Sequence, residues 1–478
     1  MTLSLVRKTQ EAELQGQLAR RVYIETMGCQ MNVYDSERMA EALGRHAYVT
    51  TTDIERADLI VINTCSIRDR VEHKVLSMLG SLRKLKDHNP DLVLCVAGCV
   101  AQQVGQGLLA RVPHLDLVIG PDQIASLPDL VAGARDRQQR QAATEFVHRK
   151  DYAFPELLAP DDGRATSFVT VMKGCNKVCS FCIVPFTRGR EVSKPSQQVL
   201  DEVRLLVQHG VREVTLLGQN VNSYGKDRKE ELDFAQLLRQ VAAIDGLWRV
   251  RFTTSHPVDC TDALVEAFAR VPKLMPFFHL PIQSGSEAVL RGMRRAHGVD
   301  DYLQKIEKLR ALAPHVALST DIIVGFPGET DADFQLTLDL LARVRYTSLY
   351  AFMYSARPGT TAAQLPDDVP LAVKKARLAQ VLALQDQMSQ AWLAGFQDQE
   401  VEVLFEGRSR AGDSGPNSLL GQLDGPPQVT GRTPQNVPVN VAATDPEALA
   451  TWPGRLGRVR IDRVHPHSFS GTLLGFVA

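Results

Sequence analysis

The sequence predicts an α/β protein built from three successive architectures: a doubly wound parallel sheet, a partial (β/α)6 barrel and a small all-β barrel. Three observations predict it. Short, fully apolar strand runs alternate with helical periodicity through the first third, the pattern of a parallel sheet covered on both faces. Six further βα units follow in about 190 residues, short of a full eight-stranded barrel. Beyond Glu400 the helical period gives way to short alternating strands with Gly, Pro and Asn turns.

After a polar extension over 1–20, Arg21–Glu25, Ala57–Asn63, Leu92–Ala97 and Leu115–Ile119 are β-branched runs. Ser36–Leu43 and Val71–Leu85 between them carry the helical period, which places an N-terminal domain at 21–137. Polar, unpatterned residues near Ala134–Arg164 read as a linker, bounded at 138–160. Strands recur at Ser167–Met172, Glu213–Leu217, Arg249–Thr253, Phe277–Leu280, Leu318–Val324 and Ser348–Met353. Helical stretches such as Ser196–His209 and Asp301–Leu312 separate them, giving a core domain at 161–396. The loops after these strands (GCNKVCSFC, GQNVNSYG, TSHP, QSGS, GFPGET, YSARPGT) lie on the edge where such folds carry chemistry. The last unit, 397–478, is assembled from VEVLFEG, LLGQLDG, VPVNV, RVRIDRV and TLLGFVA.

Composition narrows the function. No run of about 18 apolar residues is present to span a membrane. The first twenty residues lack the apolar stretch of a secretory signal, so a cytoplasmic location is expected. Lys+Arg 54 against Asp+Glu 55 gives a net charge of −1, which excludes a globally basic nucleic-acid binder but not a local basic face. Eight cysteines in such a chain point to metal or redox chemistry rather than disulfides.

The strongest motif is Cys175-Asn176-Lys177-Val178-Cys179-Ser180-Phe181-Cys182, directly after the first barrel strand. Three thiolates on one short loop can hold three corners of an iron–sulfur cube and leave the fourth iron open to substrate. The competing reading is a zinc knuckle, which calls for four ligands, typically in CxxC pairs, and no second pair lies nearby. Cys29, Cys65 and Cys99 each fall just past the carboxyl end of a predicted strand, the edge where open α/β sheets hold ligands. Taken singly they could be buried small hydrophobes. Cys95 lies inside a strand and Cys260 is solitary, so both read as structural.

A CxxxCxxC loop at the first strand of a partial barrel resembles the radical S-adenosylmethionine (SAM) enzymes. With ETMGCQMNVYDSE, FCIVPFTRGRE, LLGQNVNSYG, TTSHP, HLPIQSGS, TDIIVGFPGET and YSARPGT included, the chain resembles the methylthiotransferases, on their tRNA branch, from about Arg21 onward. Gly298 departs from the pattern, which carries a hydroxyl residue there. The resemblance implies that SAM chelates the open iron of a 4Fe-4S cluster on Cys175, Cys179 and Cys182 and yields a 5′-deoxyadenosyl radical. It further implies an auxiliary 4Fe-4S cluster on Cys29, Cys65 and Cys99 that carries the inserted sulfur. One SAM methylates that sulfur; a second supplies the radical that activates C2 of N6-isopentenyladenosine beside the tRNA anticodon.

By the same resemblance Gln219, Asn220, Gln283, Gly325 and Gly328 contact SAM, with Ser284 a weaker candidate; each could equally be a satisfied loop amide or a tight turn. GFPGET lacks the GK[ST] ending of a phosphate loop, which excludes nucleotide hydrolysis there. From Arg164 to Lys194 six basic residues accompany one acid, so Arg188 and Arg190 are expected on RNA phosphates. Val401–Ala478 has seven basic and seven acidic residues, yet its strand pattern resembles the TRAM module, and Arg458 and Arg460 would lie on its RNA-facing stripe. The expected partners are the isopentenyladenosine-bearing tRNA anticodon stem-loop and an external electron donor, with the protein a monomer and no membrane. Two alternatives stand beside this reading: the same chemistry on threonylcarbamoyladenosine tRNA or a ribosomal protein, and a non-catalytic iron–sulfur redox sensor that binds RNA.

Overall fold

In the computed structural model, which describes residues 19–66, 70–137, 139–155, 163–409 and 427–477 apart from 444 and 446, the N-terminal strands form one six-stranded sheet. The expected polar extension (up to residue 18) and the LLGQLDG run lie outside the described residues. The sheet comprises β1 (Arg20–Met27), β2 (Tyr48–Thr50), β3 (Leu59–Thr64), β4 (Val93–Gly98), β5 (Leu117–Ile119) and β6 (Gln141–Ala143) in the order β2-β1-β3-β4-β5-β6. Every pairing is parallel. β3 and β4 are buried at every position because alternate residues feed two different cores. Ile60, Ile62, Leu94 and Val96 pack on Val75, Leu79 and Leu82 of helix Arg70–His88. Leu59, Val61 and Val93 pack on Met39 and Leu43 of helix Gln30–Gly44. Each such side chain contributes roughly 1.5–3 kcal/mol by leaving water.

The expected linker is corrected here. Its first residues carry β6, which pairs with β5 and closes the sheet, and helix Leu127–Arg137 runs almost up to it. Arg140 secures the turn into β6 by donating to the carbonyls of Leu115 and Val112 at 2.8 Å each.

The central domain holds β7 (Thr166–Thr170), β8 (Met172–Lys173), β9 (Val192–Ser193), β10 (Glu213–Leu217), β11 (Arg249–Phe252), β12 (Phe277–His279), β13 (Ala317–Val324) and β14 (Ser348–Met353). Two parallel triplets, β7-β10-β11 and β12-β13-β14, are joined where Leu274 bridges to Val250, giving a six-stranded arc. The strand expected over Ser167–Met172 is broken at Val171. β7 stays in the arc, while β8 turns away to pair antiparallel with β9. Helices cover the outside. Helix Phe234–Ala242 starts at a capping box in which Asp233 accepts from the Gln236 amide and the Gln236 side chain accepts from the Asp233 amide, and it buries Phe234, Leu237, Leu238 and Val241.

The C-terminal unit is a closed barrel of β15 (Glu400–Arg408), β16 (Gln428–Arg432), β17 (Pro438–Ala442), β18 (Leu456–Val464) and β19 (Phe469–Phe476) in the order β15-β16-β17-β19-β18. Two buried arginines of β11 clasp it. Arg249 donates to the Arg432 carbonyl at 2.8 Å and pairs with Glu402 at 2.8 Å. Arg251 donates to the carbonyls of Pro434 and Thr433 at 2.8 and 2.9 Å, while its Nε holds Glu213 at 2.8 Å. Among the described residues no helix is long and apolar enough to cross a membrane.

Candidate metal centres

β8 and β9 pinch the base of the loop that carries Cys175, Cys179 and Cys182. The loop is fixed by backbone contacts: the Cys175 amide donates to the Gly189 carbonyl at 3.1 Å, and the Ser180 amide and hydroxyl donate to the carbonyls of Met293 and Gly292 at 2.9 and 2.8 Å. Gly174 enters it at φ +74°, and a Cβ there would collide with the Arg190 carbonyl. Gly174→Ala is therefore expected to cost at least about 1–2 kcal/mol for the left-handed backbone alone. The measurement is the melting temperature of the apo-protein together with its iron uptake; an unchanged value for both would show that the pinch is unimportant.

The three cysteines open onto a cavity of about 260 Å³ at the carboxyl edge of the arc. Gln219, Asn220 and Gln283 line it, as do Ser255, His256, Arg295, Asp321 and the β14 exit from Phe352 to Ser355. Gln219 is already engaged, its Oε1 accepting from the Gly174 amide at 2.5 Å. Gln283 holds φ +84° and bridges β13 through its backbone, with its amide on the Asp321 carbonyl at 3.0 Å. Ser284 is fully buried and its hydroxyl lies 3.2 Å from that of Thr337, so it serves the fold. Gly325 and Gly328 are not among the lining residues; Ile323 is. Their amides are spent on Glu329 at 2.6 Å and Asp368 at 2.8 Å, so neither glycine faces the cavity.

Burial pushes the Cys175 thiol up to about 12 and the Cys182 thiol up to about 11. Both are held as protonated thiols until a cation takes the proton's place. Beside Cys179, Arg295 donates from Nη1 to Sγ at 3.5 Å and His256 Nε2 lies 3.9 Å from it. Asp259 anchors the cavity's polar wall. Burial raises it, but hydrogen bonds from Asn220, Lys177 and Lys226 hold it at about 2. His297, on which Arg295 Nε rests at 3.2 Å, is pushed down from 6.5 to about 4, first by burial and then by the Arg295 charge. Between pH 6.5 and about 4 the unfolded chain takes up a proton that folded His297 refuses. Stability therefore falls as pH falls through that window, by at most about 1.4 kcal/mol per unit. His297→Asn is expected to flatten the drop in urea midpoint between pH 7.5 and 5; an identical drop in both proteins would refute the assignment.

The second cysteine set follows from the first sheet. β1, β3 and β4 end at Met27, Thr64 and Gly98, which puts Cys29, Cys65 and Cys99 on one edge. Gly98, at φ +90°, leaves no room for a Cβ against the Thr64 carbonyl. Asn32 knits the edge together: its Oδ1 accepts from the Cys29 thiol at 3.3 Å, and its Nδ2 donates to the Thr64 carbonyl at 3.0 Å. The Cys29 thiol is lowered to about 6, first by a hydrogen bond with Cys65, against burial, and then by the charge of Arg188.

Arg188 is the main correction to the expected RNA contacts. It is buried, pairs with buried Asp35 at 2.7 Å and donates from Nε to Cys99 Sγ at 3.2 Å, so no phosphate reaches it. Arg190, Arg458 and Arg460 are exposed. Arg458 lies 3.7 Å from Glu400 and Arg460 lies 3.0 Å from Asp462, which offsets part of the expected stripe. His256 and Arg295 were not expected at the site, although the TTSHP segment was a visible cue to the first.

Among the described residues no three His, Cys, Asp or Glu converge on the single point that one ion would occupy. A four-iron cube takes one thiolate at each corner and so does not call for ligands that meet at one point. The cavity also suits a polar ligand. Asn220 Oδ1, Ser255 Oγ and Tyr354 Oη are buried in or beside its wall without a protein partner. Such groups are expensive to leave unpaired and are satisfied by a molecule that carries donors and acceptors.

A partial parallel barrel whose first strand exits into a three-thiol loop over a cavity with unpaired polar groups on its wall defines a radical SAM enzyme. Residues 169–341 match the Radical SAM superfamily, and 21–120 match the family described as Uncharacterized protein family UPF0004. The radical S-adenosylmethionine methyltransferase TsrM from Kitasatospora setae, solved with cobalamin and a 4Fe-4S cluster, shares the fold at a TM-score of 0.53 and 13% identity, over 72% of this chain and 77% of that one. The tRNA-2-methylthio-N(6)-dimethylallyladenosine synthase of Anaeromyxobacter sp. (strain K) is 50% identical over 462 residues, 95% of this chain and 94% of its own. The synthase of that name from Pseudomonas paraeruginosa (strain DSM 24068 / PA7) is 45% identical over 96% of this chain and 99% of its own. The chain belongs to the family of tRNA-2-methylthio-N(6)-dimethylallyladenosine synthases. Its superfamily brings SAM and a 4Fe-4S cluster as cofactors.

Proposed function

We propose that this protein inserts a methylthio group at C2 of N6-isopentenyladenosine in tRNA, on the nucleotide 3′ of the anticodon. Cys175, Cys179 and Cys182 would hold the SAM-binding cluster; Cys29, Cys65 and Cys99 would hold a second. One observation carries the reading: two three-cysteine sets stand at the carboxyl edges of two parallel sheets, and Arg188 from the loop of one touches a cysteine of the other. When bound, the clusters and SAM supply a 5′-deoxyadenosyl radical and an open iron on which sulfur can be carried and methylated.

The chain's own residues do the rest. Asn220, Ser255 and Tyr354 offer unpaired polar atoms for the polar parts of SAM. Arg295 donates to Cys179 and so withdraws charge from that ligand. Phe181, Ile323, Phe352 and Met353 line the other side and keep water from a radical that water-borne donors would quench. Arg190, Arg458 and Arg460 are available to phosphates, with the barrel of 397–478 as the RNA-docking unit. An external reductant, a cytoplasmic setting and a monomeric enzyme complete the proposal. So does the division into an N-terminal unit that starts at 21 and runs through β6 to Ala143, a core of 161–396 and a barrel of 397–478.

The test is an anaerobic reaction of reconstituted protein with SAM, reductant and isopentenyl-modified tRNA, read by nucleoside mass spectrometry. Unmodified and threonylcarbamoyl tRNAs run alongside. A methylthio gain confined to isopentenyladenosine supports the reading. A gain on threonylcarbamoyladenosine alone, or SAM cleavage with no tRNA product, moves the substrate to one of the alternatives. No cleavage by a fully loaded protein overturns the enzyme reading in favour of the redox sensor.

A further inference from the structure

Arg188 stands six positions beyond Cys182, on the loop of the barrel domain, yet both functional ends of its side chain act in the N-terminal domain. Nε donates to Cys99 Sγ at 3.2 Å and Nη2 pairs with Asp35 at 2.7 Å. Arg188 and Asp35 are both buried, so the guanidinium charge acts where water screens it weakly. The hydrogen bonds to a ligand sulfur and the net charge nearby are what set the potential of an iron–sulfur cluster. An N–H donated to sulfur drains electron density from it and favours the reduced state. A cation does the same; a carboxylate at its side opposes it.

We propose that Arg188 is a positioning residue that raises the reduction potential of a cluster held by Cys29, Cys65 and Cys99, and that Asp35 trims that effect. The proposal rests on the reading that these cysteines hold a cluster. It makes the barrel domain an electronic partner of the N-terminal site: the loop that ends the SAM-binding cysteines also tunes the other cluster. The readiness of the N-terminal site to hold a reductant's electron is then adjustable at a single side chain of the barrel domain.

The experiment uses the full-length chain with Cys175, Cys179 and Cys182 changed to alanine, so that only the N-terminal cluster forms. Redox titration followed by electron paramagnetic resonance is run on this background, on Arg188→Gln, on Arg188→Lys and on Asp35→Asn. The expected result is a shift to lower potential in Arg188→Gln, a smaller shift in Arg188→Lys, and a shift to higher potential in Asp35→Asn. A merely structural role would move Arg188→Gln and Asp35→Asn in the same direction, and that result, or no shift in either, overturns the proposal. If Arg188→Gln does not fold, the opposite shifts of Arg188→Lys and Asp35→Asn carry the test. Absence of any cluster from the starting protein would instead overturn the cluster reading itself, and the proposal with it.

Discussion

Replacing Cys179 by alanine is expected to abolish formation of 5′-deoxyadenosine, whereas replacing Cys99 by alanine is expected to leave that product and remove only the methylthio nucleoside. The separation follows from geometry. Cys179 lines the 260 Å³ cavity, between Arg295 and His256. Cys99 lies outside it, on the edge of the N-terminal sheet, in contact with Arg188. Each substitution should halve the bound iron, from roughly eight to roughly four per chain if both sets hold cubes. Iron analysis, deoxyadenosine yield and nucleoside mass spectrometry on the two variants form one experiment. Equal loss of deoxyadenosine in both would show that the sets do not act separately.

The second large effect is on stability. Arg377, on helix Leu371–Ala394, reaches the end of β13, where it pairs with buried Glu329 at 2.7 Å and with Asp331 at 2.7 Å. Glu329 also receives the Gly325 amide at 2.6 Å. Burial alone raises the Glu329 carboxyl, and Arg377 opposes that rise. Arg377→Met strands the carboxylate in a dry site, and breaking a buried pair in this way costs about 3–5 kcal/mol. The sign with pH is fixed by the same argument. Without its partner Glu329 binds a proton more readily, so the deficit is largest near neutrality and shrinks as pH falls. Urea unfolding of the apo-proteins at pH 7.5 and 5.5 checks both size and trend; a deficit that grows in acid would refute the account.

Most of the framework was legible because it rests on local pattern. β10 and β14 occupy the residues expected, and the cysteine positions past β1, β3 and β4 follow from the strand ends. β2 and β6 were not legible: each has three residues, too few to show alternation, and each is a strand only because a neighbour supplies the ladder. The break at Val171 was equally hidden, since β7 and β8 share one apolar run and only pairing divides them. Arg188 shows the limit for side chains. In the sequence it is one charge among several near a cysteine loop, and nothing local separates it from exposed Arg190. Its assignment depends on Cys99, 89 residues away. Gly325 and Gly328 sit on the expected loop, but the direction of their amides toward Glu329 and Asp368 is a property of the fold. Arg295 was missed because its approach to Cys179 spans 116 residues.

The clasp between Asp35 and Arg188 also orders events in time. The N-terminal sheet has all its strands once Ala143 has been made, but buried Asp35 gains its ion pair with Arg188 only after that later residue has left the ribosome. At roughly 5–20 residues per second that interval lasts a few seconds. The N-terminal edge is thus finished by the domain that follows it: Arg188 reaches Cys99, while Cys29 stays exposed in the completed fold.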